Sequence, residues 1–151
     1  MSCRVQILNS TASINHRDLQ RAFEIACAAN APDGIEHVSD YPHKDAPADS
    51  KSVNPTMSSH ISGMDWNYDV TCKDIAEILD MMGFEVERNA ADNLYILGFD
   101  TNSGAEQKML ERLAPCIMPC SSIRWASEDG RVFENVFDGE TMTTEYPMFT
   151  F

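Results

Sequence analysis

Residues 122–146 constrain the fold more than any other part of the chain. Ile123 and Trp125 alternate with Ser122, Arg124 and Ala126, and Phe133 and Phe137 alternate with Val132, Glu134 and Val136. Successive side chains on a strand point to opposite faces, so this spacing predicts strands with one apolar face. Asp138-Gly139 separates two such runs, and Gly accepts the positive φ of a type I′ hairpin turn. Glu128-Asp129-Gly130 predicts a slightly longer turn with Gly130 in the left-handed region. Two tight turns in succession give a three-stranded antiparallel meander. Its apolar face, with Trp125 and the two Phe rings, must be covered by the rest of the chain.

Upstream, residues 3–8 alternate as a strand with Cys3, Val5 and Ile7 on one face. Asn15 is placed to cap a helix with Asp18 three residues on, and Ile14 and Leu19 are spaced as a hydrophobic staple. Leu19, Ala22, Phe23, Ala26 and Cys27 form its buried stripe, and Pro32 and Gly34 end it. Thr71 and Asp74 predict the cap of a second helix, with Ile75, Ile78, Leu79 and Met82 inward and Gly83 just past its end. Residues 84–88 alternate as a half-buried strand. Residues 94–99 are apolar throughout, which predicts a central strand covered on both faces. Ser103 and Glu106 predict the start of a third helix, with Ala105, Met109, Leu110 and Leu113 inward and Pro115 after it.

The predicted order is β-α-loop-α-β-β-α-β-β-β, a single α+β domain over residues 1–151. It corresponds to a ferredoxin-like split βαβ arrangement extended by the antiparallel meander. The alternative is a different α+β sheet in which the meander starts its own edge. A long irregular loop is expected at 31–70, where four Pro punctuate a Ser-, Asp- and Ala-rich stretch.

The chain carries 24 acidic against 11 basic residues, a formal net charge of −13. Anionic nucleic acid and membrane surfaces repel such a chain, so direct nucleic-acid or membrane binding is not expected. The charge is uneven. Residues 1–64 hold seven acids and five bases, whereas residues 65–151 hold seventeen acids and six bases. The excess therefore lies on the part with the clearest secondary-structure pattern, where carboxylates stand at fixed spacings. No signal-peptide pattern or apolar membrane span is visible, and five Cys form an odd set, so a cytoplasmic, reduced protein is expected.

Chemistry has little to attach to. His16-Arg17-Asp18 matches a kinase catalytic-loop triplet, but the Asn of that motif and a Gly-rich loop are missing, and helix capping accounts for the triplet. His37, His43 and His60 have no zinc spacing, and Cys116 and Cys120 lack a second ligand pair and the two-residue gap of a redox motif. Cys116 and Cys120 are expected to be packed thiols. No catalytic residue, metal ligand or cofactor is nominated.

The strand, acidic Gly turn, residues 131–137 and Asp138-Gly139-Glu140 together resemble the closing hairpin of small acidic α+β proteins of unknown function encoded by phages and plasmids. Proteins of that type include anti-restriction and anti-CRISPR inhibitors. The resemblance implies a non-enzymatic inhibitor or decoy, acting in the host cytoplasm on a basic, nucleic-acid-handling protein through an acidic, DNA-mimicking face. The nominated partner-binding residues are Asp65, Trp66, Tyr68, Asp69, Glu85, Glu87, Glu128, Asp129, Glu134, Asp138 and Glu140. Trp66 and Tyr68 serve there either as core residues or as exposed anchors. The alternatives are a small-molecule or metal-binding domain using the His-containing loop, and a homo-oligomeric subunit, such as a homodimer, joined through the edge near Tyr146.

Overall fold

The structure, a computed structural model, describes residues 3–30, 64, 67–102 and 104–146. These form strands β1 (Arg4–Ser10) and β2 (Ser13–Ile14), helix α1 (Leu19–Ala28), a short helical turn α2 (Tyr68–Thr71) and helix α3 (Ile75–Met82). The β3 (Phe84–Arg88) and β4 (Leu94–Asn102) strands follow, then helix α4 (Glu106–Leu113) and strands β5 (Ser121–Ser127), β6 (Val132–Phe137) and β7 (Met142–Glu145).

All seven strands join one sheet, and every pairing is antiparallel. β4 is its hub: β3, β1 and β2 all pair with it. β1 then pairs with β5, β5 with β6, and β6 with β7. The chain is thus α+β, and the expected meander is present as β5-β6-β7.

The helices pack together over the apolar face of this sheet. Ala22 and Ala26, with Ala29 just past the helix end, give α1 a flat, small-residue stripe, which lets α3 and α4 approach it closely. Beneath lie Phe84, Phe99, Ile123, Trp125 and Phe137, all buried. Phe84 and Phe99 have ring centroids 4.8 Å apart, and Phe99 meets Trp125 edge-on at 5.5 Å. Such aromatic pairs add roughly 0.5–1.5 kcal/mol each beyond simple burial. Val86 and Phe133 pack against this core half-buried, as their spacing predicts.

Several boundaries differ from the sequence expectation. Asn15 caps as expected, its Oδ1 accepting from Arg17 N at 3.0 Å, but a 3₁₀ turn at His16–Asp18 precedes α1. Thr71 is the last residue of α2, not a cap. Asp74 caps α3 instead, accepting from Glu77 N at 2.9 Å, while Glu77 Oε1 accepts from Lys73 N at 2.7 Å. Reciprocal bonds of this kind satisfy amide groups that the first turn leaves unpaired. Gly83 ends α3 at φ +116, and a Cβ there would sit 3.1 Å from Thr101 Cγ2. Ser103 lies outside the described residues. Most of the loop expected at 31–70 also lies outside them; its last described residues enter α2, and Met64 is buried.

The two hairpin turns resolve differently. Gly130 is left-handed at φ +92 and its N–H reaches Ser127 O at 3.0 Å, as the longer-turn reading requires. Asp138-Gly139 is not a two-residue type I′ turn: Gly139 has φ +97, but Asp138 is not left-handed, and β6 and β7 close at the Phe137–Met142 pair. The Asp138 carboxylate is the reason. It accepts from Glu140 N at 2.8 Å and Thr141 N at 2.7 Å, which holds a wider loop. Cys116 is buried, but Cys120 is exposed on a turn at φ +62, so only one of these two thiols is packed.

Candidate interface on the open face of the sheet

The alternate residues of the same strands face the other way, and no described element covers them. Arg4, Gln6, Glu85, Glu87, Leu97, Asp100 and Arg124 are all exposed. The expectation that β4 is covered on both faces therefore fails. Leu94, Ile96 and Phe99 are buried, whereas Leu97 is 45% exposed.

A bulge explains this arrangement. Glu85 pairs with Gly98 and Val86 with Ile96, so Leu97 is an extra residue in β4. It shifts the alternation, letting Ile96 and Phe99 share the inner face while Leu97 and Gly98 fall to the outer one. β1 does the same against β5. Ile7 pairs with Trp125 and Asn9 with Arg124, and Leu8 between them is 51% exposed. The two exposed leucines lie on neighbouring strands, between the Gln6–Asp100 pair and the hydrogen bond from Ser10 Oγ to Ile96 O. Sequence reasoning missed both. The available signal was the broken alternation at Ile7-Leu8 and Ile96-Leu97.

Carboxylates stand on the same face as these leucines. Glu85 and Glu87 are exposed on edge strand β3, and the side chain of Glu85 lies across Gly98, where a Cβ would come within 2.9 Å of Oε2. Glu134 pairs directly with Glu145 across β6 and β7. Like charges directly opposed in a sheet are unfavourable. Two cations temper the face: Arg4 Nε meets Asp100 Oδ1 at 2.8 Å, and Arg124 reaches Glu134 at 3.8 Å.

The nominated residues separate into groups. Glu85, Glu87 and Glu134 share the open face. Glu128 and Asp129 lie at one end of the β5-β6 hairpin, and Asp138 and Glu140 at the other. Six residues of β6 separate these ends, roughly 20 Å at the usual rise per residue, so the seven carboxylates are not one cluster. Asp129 and Asp138 are also occupied locally. Hydrogen bonds from Ser127 Oγ and Arg131 N, with the Arg131 guanidinium 3.0 Å away, hold the Asp129 carboxyl below its ordinary range. Bonds from Thr141 N and Glu140 N do the same for Asp138. Glu128 Oε1 accepts from Arg4 N at 3.1 Å.

Of the two nominated aromatics, only Tyr68 is among the described residues, and it does not reach a surface. Tyr68 is fully buried and its hydroxyl donates to Ala26 O at 2.8 Å, so it ties α2 to α1 and cannot anchor a partner. Asp69 accepts from the buried Asn30 Nδ2 at 2.7 Å. Asp65 and Trp66 lie outside the described residues, as do His37, His43 and His60. Among the described residues no group of three His, Cys, Asp or Glu is placed to hold a metal ion, and no helix is long and apolar enough to cross a membrane. Compared with known proteins, the chain matches no family model, no curated protein and no solved structure.

Proposed function

We propose that this chain is a non-enzymatic inhibitor or decoy that docks a basic, nucleic-acid-handling protein on the open face of its sheet, in the manner of anti-CRISPR and anti-restriction proteins. One observation carries the reading. A sheet face that no described helix covers presents Leu8 and Leu97 at bulges, with the exposed carboxylates Glu85 and Glu87 on the same face. Exposed apolar side chains within a polar rim are what interfaces offer, and fixed carboxylates select a partner rich in Lys and Arg. The opposed Glu134–Glu145 pair adds support, because a sheet selected for stability alone has no use for it. The DNA-mimicking element is therefore a sheet face with an apolar centre rather than a ring of turn carboxylates. The antiparallel neighbours β3, β4, β1 and β5 support reading this part as a ferredoxin-like split βαβ unit, with β6 and β7 added at one edge. Five free cysteines suit action in a reducing cytoplasm.

The test is DNA cleavage by purified CRISPR effector complexes and restriction enzymes, with and without this protein. Inhibition that weakens with salt, and is lost in a Glu85→Lys/Glu87→Lys/Leu97→Ser variant that still folds, is the expected result. Binding that is indifferent to salt and to those substitutions would sink the proposal.

A further inference from the structure

The sheet is wider than the layer of helices upon it, and the overhang leaves a cleft on the inner side. It has a volume of ≈ 410 Å³ and lies between α4 and the β6-β7 hairpin. Phe133, Met142 and Val5 form its apolar wall; Gln107 and Lys108 come from α4 and Tyr146 from the end of β7. This volume falls within the range of small-molecule sites, which pair an apolar lining with a few placed polar groups.

One polar group here has its orientation fixed by a chain of hydrogen bonds that begins in the core. The buried Trp125 Nε1 can only donate, and it donates to Asn135 Oδ1 at 2.7 Å. Asn135, itself fully buried, must then turn its Nδ2 the other way, where it donates to Gln107 Oε1 at 2.9 Å and Thr144 Oγ1 at 3.2 Å. Gln107 is therefore held with its oxygen toward the core and its amide nitrogen away from it. That nitrogen is buried and has no hydrogen-bond partner. A buried donor left unpaired is unfavourable, and such a group calls for an acceptor that the protein does not supply.

Two further features narrow what the acceptor belongs to. Trp125, Phe133 and Tyr146 form a row of rings leading from core to surface: Trp125 stacks on Phe133 at 6.1 Å, and Phe133 meets Tyr146 at 6.2 Å. Tyr146 is 67% exposed, so the row ends on an open aromatic surface. Of the charged groups that line the cleft, Arg131 is taken by Asp129, the buried Glu106 carboxylate accepts from Gly104 N at 2.6 Å, and Glu111 is exposed. Lys108 makes no ion pair with any described residue. We propose that this cleft binds a small planar aromatic acid, its ring against Phe133 and Tyr146 and its carboxylate between the Gln107 amide and Lys108. The site is on the helical side of the sheet, so it is independent of the docking face.

The test is an NMR titration of ¹⁵N-labelled protein with indole-3-carboxylate and benzoate, with cyclohexanecarboxylate as the non-planar control. The Gln107 side-chain amide and the backbone amides of Phe133 and Thr144 should shift together and saturate, with Kd below about 1 mM for the aromatic acids and weaker binding of the control. Gln107→Glu keeps an oxygen for Asn135 but replaces the donor with an acceptor, and should weaken binding about tenfold or more, read at Phe133 and Thr144. Lys108→Met, at an exposed position that leaves the fold alone, should weaken it several-fold. No saturable shift up to about 10 mM, or equal binding by Gln107→Glu, would overturn the proposal and leave the donor to ordered water.

Discussion

The two faces of β4, β5 and β6 are built from alternate residues of the same strands, yet different physics governs them. On the inner face Phe99, Trp125 and Phe137 are held by neighbours on all sides. On the outer face Leu97, Arg124 and Glu134 stand against water, or against one another at 3.8 Å. Removing atoms from the first creates a cavity in a close-packed medium, whereas changing the second alters a solvated surface. Stability should therefore depend on one face and recognition on the other.

The largest test of that division is Trp125→Ala. It removes the ring that touches Phe84, Phe99 and Phe133 and takes away the donor that orients Asn135. A loss of about 3–5 kcal/mol is expected from denaturant unfolding, enough to unfold a domain of ordinary stability. Leu97→Ser, in the same sheet, should change stability by no more than about 0.5 kcal/mol. Comparable losses from the two would mean that the outer face is covered after all.

Asn135→Leu comes next. It matches the burial of the site but leaves the Trp125 indole N–H and the Gln107 carbonyl without partners. A buried group left unsatisfied costs about 1–3 kcal/mol, so this inner-face polar residue should behave like a core residue.

Titration separates the buried interior from the exposed turns by direction of pH. Burial, with a smaller contribution from Asp69, pushes the Cys27 thiol up to about 12, and burial pushes Cys116 up to about 11. Their folded values lie above the ordinary 9.0, so the stability they contribute is complete below pH 9 and is lost as pH rises through 9 toward 11 and 12. In the folded protein a thiol reagent at pH 8 should label Cys120 quickly and leave Cys27, Cys72 and Cys116 untouched, with all five labelled after unfolding; peptide mass spectrometry checks this. The turn carboxylates act at the other end. Asp129 and Asp138 are held below 3.8, so what they contribute is complete above that pH and is lost as pH falls below it. The difference in thermal midpoint between the wild-type protein and Asp138→Ala should accordingly be steady near neutrality and shrink in strong acid.

The same division explains what could be read from the sequence. The meander was legible because Trp125, Phe133 and Phe137 recur with strand alternation and Gly130 marks a turn by its own backbone freedom. The α3 stripe of Ile75, Ile78, Leu79 and Met82 was legible for the same local reason, although its cap is Asp74, whose carboxylate accepts from Glu77 N, and not Thr71, which ends α2. At Leu8 and Leu97 the sequence shows only a broken alternation, which does not by itself mark a bulge. A bulge is a property of two strands in register, and neither strand shows its partner in sequence. Asn135 was hidden for a similar reason. A polar residue in an amphipathic strand reads as solvent-facing until the indole opposite it demands an acceptor. By strand and turn position alone, Asp129 and Asp138, which serve their own turns, are indistinguishable from Glu85 and Glu87, which face outward.

The smallest expected effect has an unusual sign. Glu145 stands directly opposite Glu134 on the outer face, and Arg124 approaches only the latter, at 3.8 Å. Opposed like charges on paired strands are unfavourable, while an opposed Lys–Glu pair is worth roughly 0.2–1 kcal/mol. Glu145→Lys should therefore raise stability by a few tenths of a kcal/mol up to about 1 kcal/mol, and the gain should fade as salt screens the pair. If the face docks a basic partner, the same substitution should weaken that complex, because it places a cation where the partner's cations must come. A variant that is slightly more stable and binds less well would identify Glu145 as kept for recognition at the expense of the fold. A variant that is more stable and binds equally well would confine the interface to the β3-β4 side, around Leu97, Glu85 and Glu87.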